Sequence, residues 1–170
     1  DDFSAVLANI SASDAEVVFL PAYVAEVGAI LTQAFNMGMD VPFVGADGWD
    51  GIEADYAEAV EGHYFGNHYA KSDPTQVVVD FVTNYEDTYG ESPNALAALA
   101  YDAVYAMAEA FEDAGSADAD DVIAALADLE YTNAVTGSIK FDSNGDPIKA
   151  VTIIQVVDGE HVVVDKVESE

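Results

Sequence analysis

Residues 74–130 offer three amphipathic helices in a row with no strand among them, and no other feature constrains the fold as much. Asp73 before Pro74, with Gln76 three residues after the cap, reads as a helix start. Val77, Val78, Phe81, Val82 and Tyr85 supply that helix's apolar face before Gly90. Residues 94–113 are apolar almost all round, and Asp102, Glu109, Glu112 and Asp113 make only a narrow polar stripe, so this helix is expected to be covered on most sides. A shorter helix over 120–130 turns Val122, Leu126 and Leu129 inward. Helices of this kind must bury their apolar faces against another layer. They form either a helical annex or the cover of a sheet that lies outside this chain.

The flanking segments alternate. Phe3, Val6, Leu7 and Ile10 recur at helical spacing behind Asp2 as N-cap, which predicts a helix to about Ser13. Val17, Val18, Phe19 and Leu20, stopped by Pro21, suit a short strand buried on both faces. Val24, Val27, Ile30, Leu31, Ala34 and Phe35 share a helix face that Gly38 terminates. A strand over 41–45, an acidic helix over 51–59 and a strand over 62–69 complete the rhythm of a parallel α/β sheet flanked by helices. Beyond residue 134 the chain turns to strands over 137–141, 151–157 and 161–164, with turns at 142–147 and at Asp158-Gly159. The expected organisation is an α/β segment over 1–70, helices over 71–134, and closing strands with a tail over 135–170.

Charge narrows the partners. The chain carries 33 Asp and Glu against 4 Lys and no Arg, a formal charge of −29. Such a surface repels phosphate backbones and anionic headgroups, so neither nucleic acid nor a membrane surface is an expected partner. With 51% hydrophobic residues the acids coat a packed core rather than solvate a disordered tail. There is no cysteine, hence no thiolate chemistry. No apolar run is long enough to span a bilayer, and the first residues carry no basic and apolar signal-peptide pattern.

In a parallel α/β sheet, ligands bind beyond the carboxyl ends of the strands. The first two strands lead into Pro21-Ala22-Tyr23 and Gly45-Ala46-Asp47-Gly48-Trp49-Asp50, so Tyr23 and Asp47 are expected on one rim. A carboxylate beside a phenol suits a small cationic group such as an α-ammonium. The same residues also admit a plainer reading, a turn in which Asp47 caps its own backbone and Trp49 is a core residue. His63 and His68, five apart on a strand, point to opposite faces and make no joint metal site. Asp142, Asn144 and Asp146 have the spacing that opens a calcium loop but lack the rest of it, so Asn144-Gly145 reads as a hairpin turn. Tyr101 and Tyr105 flank Asp102 on the long helix; core packing is expected, with a supporting hydrogen bond from Asp102 as the alternative. Phosphate-loop, nucleophile-elbow and zinc-protease motifs are absent, so neither cofactor, metal nor catalytic role is expected. The abundance of acids alone keeps a carboxylate-pair hydrolase as an alternative.

Asp2-Phe3-Ser4-Ala5, Val17-Val18-Phe19-Leu20-Pro21-Ala22-Tyr23, Val44-Gly45-Ala46-Asp47-Gly48-Trp49, Ala100-Tyr101-Asp102-Ala103-Val104, and Val135-Thr136-Gly137-Ser138-Ile139-Lys140-Phe141-Asp142 with Asn144-Gly145-Asp146 follow one another along the chain. In that order they resemble the branched-chain amino-acid type of periplasmic binding protein, the extracytoplasmic receptors of ABC importers with the type I periplasmic-binding fold. Members are longer, so the resemblance implies a partial chain contributing to two lobes. It would comprise the C-terminal-lobe segment over 1–70, helices over about 74–130 that cross to cover the other lobe's sheet, and closing strands.

The resemblance further implies an amino acid or similar zwitterion as ligand, held by lobe closure, with an ABC permease as partner. The location implied is extracytoplasmic, periplasmic or as a cell-surface lipoprotein. Tyr23 and Asp47 match cleft-lining positions, the acid pairing with the α-ammonium. Trp49, Tyr101 and Asp102 match the pattern as residues behind the cleft or at the hinge. The ligand's carboxylate would be held by the missing half, so the chain alone is expected to bind weakly. Its open helix faces are expected to associate with that half or with a swapped copy. A sensory domain of the same fold without a transporter is the alternative. The acid coat departs from a typical member and fits adaptation to high salt or a secreted lipoprotein of an anaerobe.

Overall fold

The computed structural model describes residues 1–168; Ser169 and Glu170, at the end of the closing segment, lie outside the described residues. In chain order the elements are α1 (Ser4–Ser11), β1 (Val18–Phe19), α2 (Val24–Asn36), β2 (Phe43–Gly45), a 3-10 turn (Asp47–Trp49), α3 (Glu53–Val60), β3 (Tyr64–Asn67) and α4 (Gln76–Tyr89). They continue with α5 (Ala95–Ala114), α6 (Ala119–Ala127), β4 (Glu130–Tyr131), β5 (Ile139–Lys140), β6 (Val151–Val157) and β7 (Glu160–Val167). Two compact units emerge, one of Asp1–Asn67 with Thr152–Asp165, the other of His68–Val151 with the residues from Lys166.

The first unit is built on a sheet of order β1-β2-β3-β6-β7. β1, β2 and β3 run parallel, and β6 joins antiparallel to β3 with Phe65 opposite Ile154. Period-two burial explains the pairing: Phe65 and Asn67 of β3, and Thr152, Ile154 and Val156 of β6, point to the buried face. Val27 and Leu31 of α2, Ile52 and Val60 around α3, and Leu7 of α1 are buried with Phe43 and Trp49. The turn into β7 places Asp158 and Gly159 at φ +53° and +74°, the left-handed pair that a two-residue hairpin needs.

Several details depart from the sequence reading. β1, at the edge of the sheet among the described residues, is not buried on both faces: Phe19 is 66% exposed and Val17, just before it, 52%, so one face has no layer over it there. β3 is shorter than 62–69, so His63 and His68 flank it rather than lie on it. α1 begins at Ser4; the Asp2 carboxylate still accepts from the Ser4 N–H at 2.9 Å and its hydroxyl at 2.6 Å. α4 begins at Gln76 rather than Pro74. Asp73 accepts from the Thr75 N–H at 2.9 Å, making a turn before the helix, and the Gln76 amide donates forward to Asp80 at 2.7 Å, so no capping box forms.

In the second unit α5 is capped by Asn94, which accepts from the Ala97 N–H at 2.9 Å, and ends at Gly115 with φ +58°. Its buried stripe is Ala95, Ala98, Asp102, Ala106 and Ala110, small side chains that let neighbours approach. One buried cluster unites Tyr69, Val78, Phe81, Ala95, Ala98 and Val135; another unites Ala106, Leu129, Tyr131, Ala134 and Ile139. Glu130, placed by periodicity in the preceding helix, instead pairs in β4 with Lys140 of β5, because α6 stops at Ala127 and Leu129 and Tyr131 are drawn into the second cluster. The cover expected around α5 is incomplete among the described residues: Leu96 and Val104 are 71% and 68% exposed. Among those residues no helix is long and apolar enough to cross a membrane.

Residues 142–147 form a turn organised by one carboxylate. Asp142 Oδ1 accepts from the N–H groups of Asn144 at 2.8 Å and Asp146 at 2.9 Å, and Phe141 bridges antiparallel to Pro147. These bonds, that from Asp146 first, hold the Asp142 carboxyl below the usual 3.8. A depressed carboxylate stabilises the turn above pH 3.8, and that contribution is lost as pH falls through its folded value. An NMR titration is expected to give Asp142 a midpoint below 3.8; a midpoint at or above it would contradict this geometry.

Candidate functional site

The register Val18↔Phe43 and Phe19↔Val44 makes β1 and β2 end level, so the loops after them leave the same rim. The ladder runs one step further, the Leu20 N–H donating to the Val44 carbonyl at 2.8 Å, before Pro21 and Ala22 lead to Tyr23, the residue that precedes α2. On the neighbouring strand Ala46 is extended and Asp47 opens the 3-10 turn, closed by Trp49 N–H to Ala46 O at 3.0 Å and Asp50 N–H to Asp47 O at 3.1 Å. The Asp50 carboxylate accepts from the buried Asn67 amide at 2.9 Å. Gly48 permits the approach of the two loops: a Cβ there would lie 2.7 Å from the Ala22 carbonyl oxygen and 3.1 Å from Tyr23 Cδ1. Tyr23 therefore packs its ring against the residue that follows Asp47. Tyr23 is 77% exposed and Asp47 is exposed as well, so phenol and carboxylate share one open rim. That arrangement can pair a small cation with the carboxylate and present a ring to it. Trp49 lies beneath, fully buried.

Tyr101 and Asp102 belong to the second unit. Tyr101 is not core: it is 41% exposed, its ring tilted against Phe81 at 5.0 Å and Tyr105 at 4.7 Å, because the inward stripe of α5 is taken by alanines and Asp102. A hydrogen bond to Tyr105, then burial, push the Tyr101 hydroxyl up to about 12. The supporting hydrogen bonds of Asp102 go to the segment at Val135 and Thr136. The buried carboxylate accepts from the N–H groups of Val135 and Thr136, both at 2.8 Å, and from the Thr136 hydroxyl at 2.7 Å. Lys149 donates to that hydroxyl and to the Gly137 carbonyl, each at 2.9 Å, and burial lowers its pKa. Thr136, one of the residues that carry the resemblance, has no role in the sequence reading and Lys149 is not singled out there; the available signal was a carboxylate inside an alanine stripe, which must find donors. Asp102→Ala strands several buried donors and is expected to cost on the order of 3 kcal/mol, or roughly 10 °C in Tm. A calorimetric melt within about 2 °C of wild type, less than 1 kcal/mol, would show that the network contributes little.

On the opposite rim, at the amino ends of β2 and β3, a cavity of about 700 Å³ is lined by Phe35, Asp40, Phe43, Glu61 and His63 among others. Glu61 is engaged there by the Asp158 N–H at 2.9 Å, and burial lowers His63 below its ordinary 6.5. The strand-end rule favours the other rim.

The parallel-rich sheet flanked by helices, with the loops after β1 and β2 leaving its carboxyl rim, is an α/β lobe. The chain belongs to the periplasmic binding protein family, which matches residues 1–160. It is 29% identical over 150 residues to a Leu/Ile/Val-binding protein homolog 1 of Brucella suis, covering 86% of this chain and 39% of that protein. A leucine binding protein of Thermotoga maritima superposes with a TM-score of 0.89 at 32% identity, over 98% of this chain and 49% of that one. A branched-chain amino acid transporter substrate binding protein of Streptococcus pneumoniae, solved with isoleucine, gives 0.85 at 29% identity, over 98% and 49%. The fold is the type I periplasmic-binding α/β fold, and the chain spans half or less of the length of these relatives.

Proposed function

We propose that this chain supplies one ligand-facing lobe, with helices of a second, to an extracytoplasmic solute-binding protein of an ABC importer that takes amino acids with apolar side chains. The observation that carries this reading is the Tyr23 ring packed on Gly48 beside Asp47 at the carboxyl rim of β1 and β2. Asp47 pairs with the α-ammonium and Tyr23 covers it. The leucine and isoleucine named for the relatives support the ligand class. The role is binding followed by lobe closure, without turnover. The uncovered Leu96, Val104, Met107 and Phe111 share one face of α5 and support the second half of the reading, in which that face seats a sheet supplied by the part of the relatives outside the matched span, or by a swapped copy.

The test is calorimetric titration with L-leucine, L-isoleucine and L-valine of the 170-residue chain and of the protein encoded by its complete reading frame. The latter is expected to bind at micromolar concentration or below and the former far more weakly. Equally tight binding by the chain alone would overturn the two-lobe reading. No amino-acid binding by either would overturn the ligand class.

A further inference from the structure

The carbonyl of Leu20 stands where β1 runs out of ladder. It accepts from the Ala22 N–H at 3.0 Å and, also at 3.0 Å, from the indole Nε1–H of Trp49. That second donor comes from the loop after the neighbouring strand, so a side chain continues the tie between strands after the backbone ladder has ended. The indole is fully buried and lies along Phe65 of β3, ring centroids 6.3 Å apart at 30°. Gly45 makes room for it, since a Cβ there would sit 2.1 Å from Trp49 Cε2. The turn that carries Asp47 is thus held through Trp49 to the end of β1 and through Asp50 to Asn67. Between these ties Gly48 lies against Ala22 and Tyr23.

We infer that Trp49 is a positioning residue: its indole N–H, through the Leu20 carbonyl, fixes the Tyr23 segment against the Asp47 turn, so that both ligand-facing groups are set before ligand arrives. This rests on the reading of Tyr23 and Asp47 as the ligand pair. Affinity depends on such preorganisation because order already present need not be imposed on binding. A residue that only filled the core would act through stability instead. The two roles separate in Trp49→Phe, which keeps an aromatic ring on Phe65 and over Gly45 but removes the donor. A second variant, Gly48→Ala, leaves the indole intact and pushes the loops apart.

The experiment is calorimetric titration with L-leucine of the protein from the complete reading frame, as wild type, Trp49→Phe, Gly48→Ala and Asp47→Asn, well below every melting transition. Amide hydrogen exchange is followed without ligand. Trp49→Phe and Gly48→Ala are each expected to weaken leucine binding roughly 10- to 100-fold. Exchange is expected to speed up at Ala22 and Tyr23 and over residues 46–50 while α2 and β3 keep their protection, which a core-filling role would not produce. Leucine binding within twofold of wild type in Trp49→Phe, with Asp47→Asn impaired, would overturn the positioning role and leave the ligand pair standing. Should Trp49→Phe fail to fold, Gly48→Ala decides by the same criterion. Unimpaired binding in Asp47→Asn would overturn the ligand pair and the positioning role together.

Discussion

Asp47→Ala is expected to raise the dissociation constant for L-leucine by about 100-fold or more in the protein from the complete reading frame. The size of the effect follows from burial. A carboxylate that stays as exposed as Asp47 is here would pair with an ammonium for about 0–1 kcal/mol, less than a tenfold change. Breaking a pair that a closed cleft has taken out of water costs about 3–5 kcal/mol, because the partner charge is left uncompensated. Each 1.4 kcal/mol is about tenfold in affinity, so the two cases are well separated. Titration calorimetry therefore reads the role of Asp47 and the enclosure of the ligand at once. A change below fivefold would mean that the ammonium stays in water or meets another acid.

Salt is expected to have the other large effect. A net charge of −29, from 33 acids against four lysines, on 10035 Å² of accessible surface repels itself in the folded state more than in the expanded unfolded chain. The screening length falls from about 30 Å at 0.01 M to about 3 Å at 1 M, so repulsion that is nearly unscreened at the first concentration is almost gone at the second. Tm is expected to rise on the order of 10 °C between those concentrations of KCl, corresponding to a few kcal/mol for a chain of this size. Most of the rise should come below about 0.1 M, where the screening length is still 10 Å or more. A differential scanning series in KCl measures this. A flat Tm would show that the acids are spaced so that their repulsion scarcely enters stability.

Where local chemistry decides an element, the sequence anticipated the structure. β6 falls on 151–157 because Thr152, Ile154 and Val156 impose a period of two, and α5 runs from Ala95 to Ala114 where a helix was expected over 94–113. Where a neighbour decides, it did not. The apolar run at Val17–Leu20 announced a strand, but its exposure depends on what packs over each face of the sheet. Glu130 reads as the last residue of the helix over 120–130 and is turned, with Tyr131, into a strand by pairing with Ile139 and Lys140. The strand-end rule picked Tyr23 and Asp47 because it needs only strand order and direction. It could not see that the Trp49 indole reaches Leu20, 29 residues away, or that Asp102 reaches Thr136, 34 residues away, since both bonds are made by the fold.

The central claim is that Asp47 recognises an α-ammonium. L-leucine and 4-methylpentanoate differ only in that group, so calorimetric titration of both into wild type and Asp47→Ala isolates it. The account predicts that wild type prefers leucine by about 100-fold or more and that Asp47→Ala loses most of that preference. Equal affinity of wild type for the two compounds, or an undiminished preference in Asp47→Ala, would contradict it.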